Sequence, residues 1–273
     1  MKRIHKTMRE YRKSKKSSVI VFVALRVLIT ACMVGQIFRE NWHNAVFCLF
    51  ALLLLTVPVL LQKGLKITLP NTLEIIIFLF IFSGTVLGEI YNFYERFHNW
   101  DTMLHTMNGF LCAAIGFALI DLLNKNSKKI KLSPFYVAMA AFCFSMTVGV
   151  LWEFYEWGMD TFALVDMQKD RVVQTISSVM LDPLHANNPI VVEGIAQTVM
   201  YDANGAVLAT IDGGTLDIGK IDTMEDLFVN FIGAFVFSVF GFFYVQGREK
   251  FKFATRFIPQ KADAEGQDMR DAD

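Results

Sequence analysis

The chain has 273 residues, of which 54% are hydrophobic, and its 26 basic and 26 acidic side chains cancel. With a mean hydropathy of +0.40 it is too apolar for an ordinary soluble domain, and the composition points to a polytopic membrane protein. Neither the neutral balance nor any motif supports a nucleic-acid partner; the bilayer is the expected one.

Residues 1–18 form a basic segment suited to a solvated face near anionic lipid. Six apolar runs follow, each long enough to cross a bilayer as a helix: Val19–Phe38, Ala45–Leu61, Leu73–Tyr94, Met103–Leu123, Pro134–Trp157 and Asp226–Tyr244. Ile29-Thr30-Ala31-Cys32 fits a lipoprotein cleavage pattern, but Arg26 interrupts the run and the apolar stretch continues to Phe38, so an uncleaved first span is expected. Arg26 is expected to snorkel to the surface or to pair with Glu74. With an inner N-terminus and alternating sides, 20 of the 26 basic residues fall inside and 5 outside, with Arg26 in the membrane. This bias puts both termini in the cytoplasm of a bacterial plasma-membrane protein. The four cysteines all lie in spans, which implies no disulfide framework.

The expected fold class is all-α: a polytopic bundle of six transmembrane helices with a small extracellular cap containing a β-hairpin. Residues 19–61 make an N-terminal hairpin of helices, 62–160 with 222–245 a four-helix bundle, 161–221 the cap, and 246–273 a cytoplasmic tail, polar and disordered from Gln260. In the cap, Val199-Met200-Tyr201 and Ala206–Ile211 flank an Asn-Gly turn and read as the hairpin. Asp170–Met180 reads as a short amphipathic helix.

The bundle contains an apparent duplication. Asn92-Phe93-Tyr94-Glu95 followed by Asp101-Thr102-Met103 is matched by Glu153-Phe154-Tyr155-Glu156 followed by Asp222-Thr223-Met224. Both hairpins run in the same direction, so they are expected to be parallel repeats about the membrane normal. Nearly all intramembrane acids fall at the outer ends of these spans. Glu89, His105, Glu153 and Asp226 lie about a turn or more inside, where lipid exposure would cost a few kcal/mol each. They are the candidates for catalytic roles, and Asp101, His105, Glu153, Glu156 and Asp226 for ligands of a divalent metal ion such as Mn²⁺, Fe²⁺, Zn²⁺ or Mg²⁺. Glu95, Asp160, Asp222 and Asn230 are placed at the rim. A carboxylate cluster sharing protons explains the same residues. Asp101 and Asp222 also make good helix N-caps, and Asn108 and Asn230 are the kind of side chain that joins helices.

Asp101-x-x-x-His105-x-x-x-Gly109, Glu153-x-x-Glu156-Trp157 and Asp222-x-x-x-Asp226 followed by Gly233-Ala234 resemble the YjdF-like family of bacterial inner-membrane proteins over the last four spans. A looser likeness to VanZ-like membrane proteins lies in the fourth and sixth. The long loop 161–221 departs from the shorter linker of that pattern. The resemblance implies a polytopic bacterial membrane protein whose acids act as a unit, and it implies no reaction. Two functions therefore stand side by side: a metal-dependent enzyme acting on a lipid-linked or cell-envelope substrate, and a transporter or sensor that binds a cation or proton. A structural role for the acids is the third reading.

Overall fold

Apolar runs of about twenty residues can satisfy their backbone in lipid only as helices, and that is what the computed structural model shows. It describes residues 2–65, 67–97, 99–126, 131–247, 256–258 and 260–261. The described α-helices are α1 (Lys2–Phe38), α2 (Trp42–Leu54), α3 (Val57–Leu65), α4 (Asn71–Phe82), α5 (Phe93–Arg96), α6 (Trp100–Asn126), α7 (Pro134–Ala163) and α8 (Lys220–Gln246), with short strands between α3 and α4, between α7 and α8, and after α8. Six stretches are long and apolar enough to cross a membrane: Ser17–Phe38, Trp42–Gly64, Asn71–Ile90, Trp100–Asn124, Pro134–Ala163 and Lys220–Gln246.

Two spans are less regular than their apolar runs suggest. The second breaks at Leu55-Thr56 between α2 and α3, because Pro58 has no N–H to give the carbonyl four residues earlier. In the third, α4 passes into a π-helical stretch, Ser83–Ile90, and the helix ends where Asn92 turns left-handed at φ 55°. Asparagine tolerates that conformation better than most residues. Gly88 makes room there for the Tyr94 ring, which an added Cβ would meet at 2.3 Å.

The chain divides into two compact units, residues 1–149 with 228–273, and 150–227. In the first, α1 packs on α2 and α4 around Leu25, Ile29, Cys48, Leu55, Phe78 and Val86. A second core joins Ala113, Ala114, Phe117 and Ala118 of α6 to Val137 and Ala141 of α7 and to Ala234, Phe237 and Tyr244 of α8. The helices of this core touch through glycine. A Cβ on Gly109 would sit 2.1 Å from the Asn230 carbonyl oxygen, and one on Gly233 would sit 2.1 Å from that of Thr106. Such close approach, with polar side chains bridging it, is how membrane helices hold together when lipid is as apolar as their own surfaces. The bridges are Asn108 Nδ2 donating to Asn230 Oδ1 (3.2 Å) and Ser145 Oγ donating to the Gly109 carbonyl (2.8 Å).

Arg26 neither pairs with Glu74 nor needs to. Its guanidinium stacks 5.2 Å from the centre of the Phe22 ring, and Glu74 accepts from Gln62 Nε2 at 2.9 Å. Residues 257–258 and 260–261 of the tail, which was expected to be disordered from Gln260, are packed or paired. Ile258 is buried in the α6–α8 core, the Phe257 ring meets Phe110 at 5.6 Å, and Gln260-Lys261 (β8) pairs antiparallel with Ile67-Thr68 (β1). Residues 262–273 lie outside the described residues.

In the second unit the expected hairpin is present: β5 (Gln197–Tyr201) pairs antiparallel with β6 (Val207–Asp212). The Asp202 carboxylate accepts from the Asn204 and Ala206 amides at 2.9 and 2.7 Å, and Gly205 takes the positive φ the turn requires. The amphipathic helix expected over Asp170–Met180 is not formed. Val172-Val173 (β2) pairs with Thr215-Leu216 (β7), Ile176–Ser178 (β3) pairs with Ile190–Val192 (β4), and a 3₁₀ turn covers Val179–Leu181. The β-branched residues of this stretch prefer strands once partners are available.

Between β3 and β4 the loop winds round one carboxylate. Asp182 accepts from the amides of Leu184, Ala186 and Asn188 at 3.0, 2.9 and 3.1 Å. These bonds, led by that from Leu184, hold its carboxyl below the ordinary value of 3.8. A depressed pKa means the stabilisation is complete above 3.8 and is lost as pH falls through the lower folded value. Asp182→Ala should therefore strip exchange protection from those three amides at neutral pH, read by hydrogen–deuterium exchange, while the β5–β6 amides keep theirs.

Candidate functional site

Glu153 and Glu156 stand three residues apart on α7, so helical geometry puts both on one face. Asp226 comes from the second turn of α8. One carboxylate oxygen from each lies within 4.8 Å of the others. All three residues are buried, with 4%, 7% and 4% of their surface exposed. Carboxylates this close and this dry cannot all stay charged unless protons are shared or a cation joins them. Oxygen atoms bound to one hard cation at 2.0–2.6 Å lie at most about 4–5 Å apart, so the spacing fits a single ion. Trp152 Nε1 donates to Glu156 Oε1 at 2.8 Å and fixes that carboxylate's direction. Position suggests a membrane-interface anchor for Trp152; its hydrogen bond shows a second task.

The base of the loop is tied to the start of α8 by a second set of acids. Asp160 accepts from the Met167 and Gln168 amides at 2.6 and 2.8 Å. Asp222 is buried and accepts from the Lys169 amide at 3.0 Å. The residue that serves the first turn of α8 is Asp217, whose Oδ2 accepts from the Ile221 amide at 2.8 Å. Capping was expected of Asp222, and no spacing singled out Asp217. Arg171 grips Glu225 with both guanidinium nitrogens at 3.0 and 2.7 Å and comes within 4.0 Å of Asp222. The Arg171–Glu225 fork is exposed, so it adds roughly 0–1 kcal/mol. Asp170 is held above its ordinary value, first by desolvation and then by Asp166 and Asp217.

In the first unit, Asp101 lies in the first turn of α6 and its Oδ1 is 3.5 Å from His105 Nε2, the i, i+4 relation expected. Below this pair the same helix lines an apolar cleft of about 340 Å³ through Thr106, Met107, Phe110 and Leu111, opposite Ile76, Ile232 and Val236. That volume is at the lower end for small-molecule sites. Glu89 is half-buried in the π-helical stretch. Asn230, expected at the rim, is 1% exposed and belongs to the α6–α8 crossing, where it meets Asn108 and donates from Nδ2 to Met146 Sδ at 3.6 Å. Glu95 is exposed on α5. His185 is an exposed loop residue, as expected, and His98 lies outside the described residues.

The apparent duplication is only partly reproduced. Asp101 and Asp222 both fall in first turns. The four-residue motif does not match, because Asn92 is left-handed and starts the short α5, whereas Glu153–Glu156 runs through an unbroken helix. Glu95 is exposed and Glu156 buried, so identical letters occupy different environments.

Six membrane-length helical stretches with buried acids at span ends define a polytopic integral membrane protein. The chain belongs to the family described as "Predicted membrane protein (DUF2238)", whose model matches residues 18–247. It is also 30% identical over 103 residues to an uncharacterized protein of Thermotoga maritima, covering 38% of this chain and 52% of that one. The chain thus spans about half the length of that relative. No solved structure matches it.

Proposed function

We propose that Glu153, Glu156 and Asp226 bind one divalent cation, and that the protein is a metal-dependent enzyme of the bacterial plasma membrane acting on a lipid-linked or cell-envelope substrate. The convergence of three buried carboxylates within 4.8 Å carries the metal reading. An all-oxygen ligand set favours Mg²⁺ or Mn²⁺ over softer ions. A bound ion of this kind lowers the pKa of a water or polarises a phosphoryl or carbonyl oxygen. Glu156, oriented by Trp152, is suited to hold its ligand geometry, and Glu153 to accept a proton. The resemblance to the YjdF-like family is part of this reading, since its motifs contain all three acids.

Purified full-length protein should take up Mn²⁺ at one ion per chain, measured by elemental analysis and paramagnetic titration, and Glu156→Gln should lose it. His105→Ala tests the expectation that Asp101 and His105 also serve the ion. Wild-type protein that binds none of Mn²⁺, Mg²⁺, Fe²⁺ or Zn²⁺ would turn the acids into a proton-sharing cluster, as in a transporter or sensor.

The basic residues support cytoplasmic termini, with loop 161–221 outside. A reporter active only in the cytoplasm should work fused after Arg270, and one active only outside should work near Asn204. The reverse pattern would invert the proposed orientation.

A further inference from the structure

The first two spans carry no acidic cluster, yet they hold two of the four cysteines. Cys32 lies six residues before the end of α1 and Cys48 six residues after the start of α2, with only residues 39–41 between the helices. At 1.5 Å per residue an antiparallel hairpin sets both thiols at the same depth, about 9 Å from the turn. Both are free. They belong to one packed cluster, in which Cys48 is fully buried and Cys32 partly so. The two thiols lie close enough to influence one another, and Cys32 neighbours Tyr91, just past the π-helical stretch. The other two cysteines lie elsewhere: the Cys112 thiol donates to Asn108 Oδ1 at 3.4 Å, and Cys143 is exposed on α7.

We propose that Cys32 and Cys48 form a dithiol–disulfide site that exchanges with disulfides of small apolar thiols and, when oxidised, joins α1 covalently to α2. The class of partner follows from the lining. The pair shares its cluster with the apolar Ile29, Ala51, Phe78 and Val86, so a charged disulfide such as that of a peptide thiol would lose its hydration there. Cys32 is the more accessible and reacts first. Its thiolate attacks one sulfur of the incoming disulfide, that bond breaks, and the first leaving thiolate takes the proton Cys32 gave up. Cys48 then attacks the Cys32 sulfur of the mixed disulfide. The Cys32–Cys48 bond forms, and the second thiol leaves with the proton from Cys48. Two protein thiols are oxidised by two electrons, and one external disulfide is reduced to two thiols.

The test uses full-length protein in proteoliposomes and dithiodipyridine, a membrane-permeant apolar disulfide, followed by digestion and mass spectrometry. The expected product is a peptide pair linked through Cys32 and Cys48, with no thiopyridyl group left on either. Cys48→Ser should leave Cys32 carrying one thiopyridyl group, and Cys48→Ala should do the same. A Cys112→Ser, Cys143→Ser double variant should still give the linked pair. The proposal is overturned if Cys32 and Cys48 each keep their own thiopyridyl group, or if neither reacts while Cys143 does.

Discussion

Replacing Gly233 or Gly109 by alanine should all but eliminate the recovery of folded protein. Each added methyl would sit 2.1 Å from a backbone carbonyl oxygen on the facing helix, that of Thr106 in one case and Asn230 in the other. A side chain can rotate away from such a clash, but a helix backbone cannot. Overpacking a core costs about 1–3 kcal/mol where side chains yield, and here the loss should exceed that range because α6 and α8 must part. Separating them also breaks the Asn108–Asn230 bond. The measurement is the yield of monodisperse protein in detergent and its thermal midpoint. Gly35→Ala and Gly158→Ala, with nothing within 4 Å of the new methyl, should behave as wild type. Because both sensitive glycines guard one crossing, the double variant should cost less than the two single effects together.

The second large effect concerns Asp226 and should have opposite signs in two conditions. In metal-free buffer three adjacent buried carboxylates repel one another. Asp226→Asn removes one charge while keeping the shape, so the variant should melt no lower than wild type, and higher if all three acids are ionised. With Mn²⁺ at a hundred times its dissociation constant, wild type should gain about 2.7 kcal/mol by mass action, and the variant should gain none. The order of the two midpoints then reverses between chelator and metal. If Asp226→Asn destabilises the metal-free protein and wild type does not respond to any divalent ion, the acids serve as hydrogen-bonded struts instead.

Periodicity carried the reading furthest where the physics is local. Apolar length sufficed to place six spans, because lipid demands it. Glu153 with Glu156 and Asp101 with His105 could be paired from helical spacing alone. What spacing could not show was depth and partner. Asp222, Asp226 and Asn230 form one stack at intervals of four, but they meet a loop amide, a carboxylate pair and a helix crossing respectively. Placing Asn230 at the rim failed for that reason. Residues 170–180 were misread because the strands there are completed by Thr215-Leu216 and Ile190–Val192, far along the chain. The break in the second span, expected as one run over Ala45–Leu61, was not foreseen, although Pro58 carries a local signal for it. The π-helical stretch was not foreseen, nor was the packing of the Tyr94 ring against Gly88 within it.

The packing of Phe257 and Ile258 and the pairing of Gln260-Lys261 bear on how the protein is made. Helices enter a membrane in the order of synthesis, and Phe257, Ile258 and the β8 strand emerge after every span has been translated. Until they arrive, Phe110 has the Phe237 ring but not that of Phe257, and Ile67-Thr68 lacks its β8 partner. A chain cut after Gln246 would therefore lack the Phe257 ring against Phe110, the buried Ile258 and the strand partner of Ile67-Thr68.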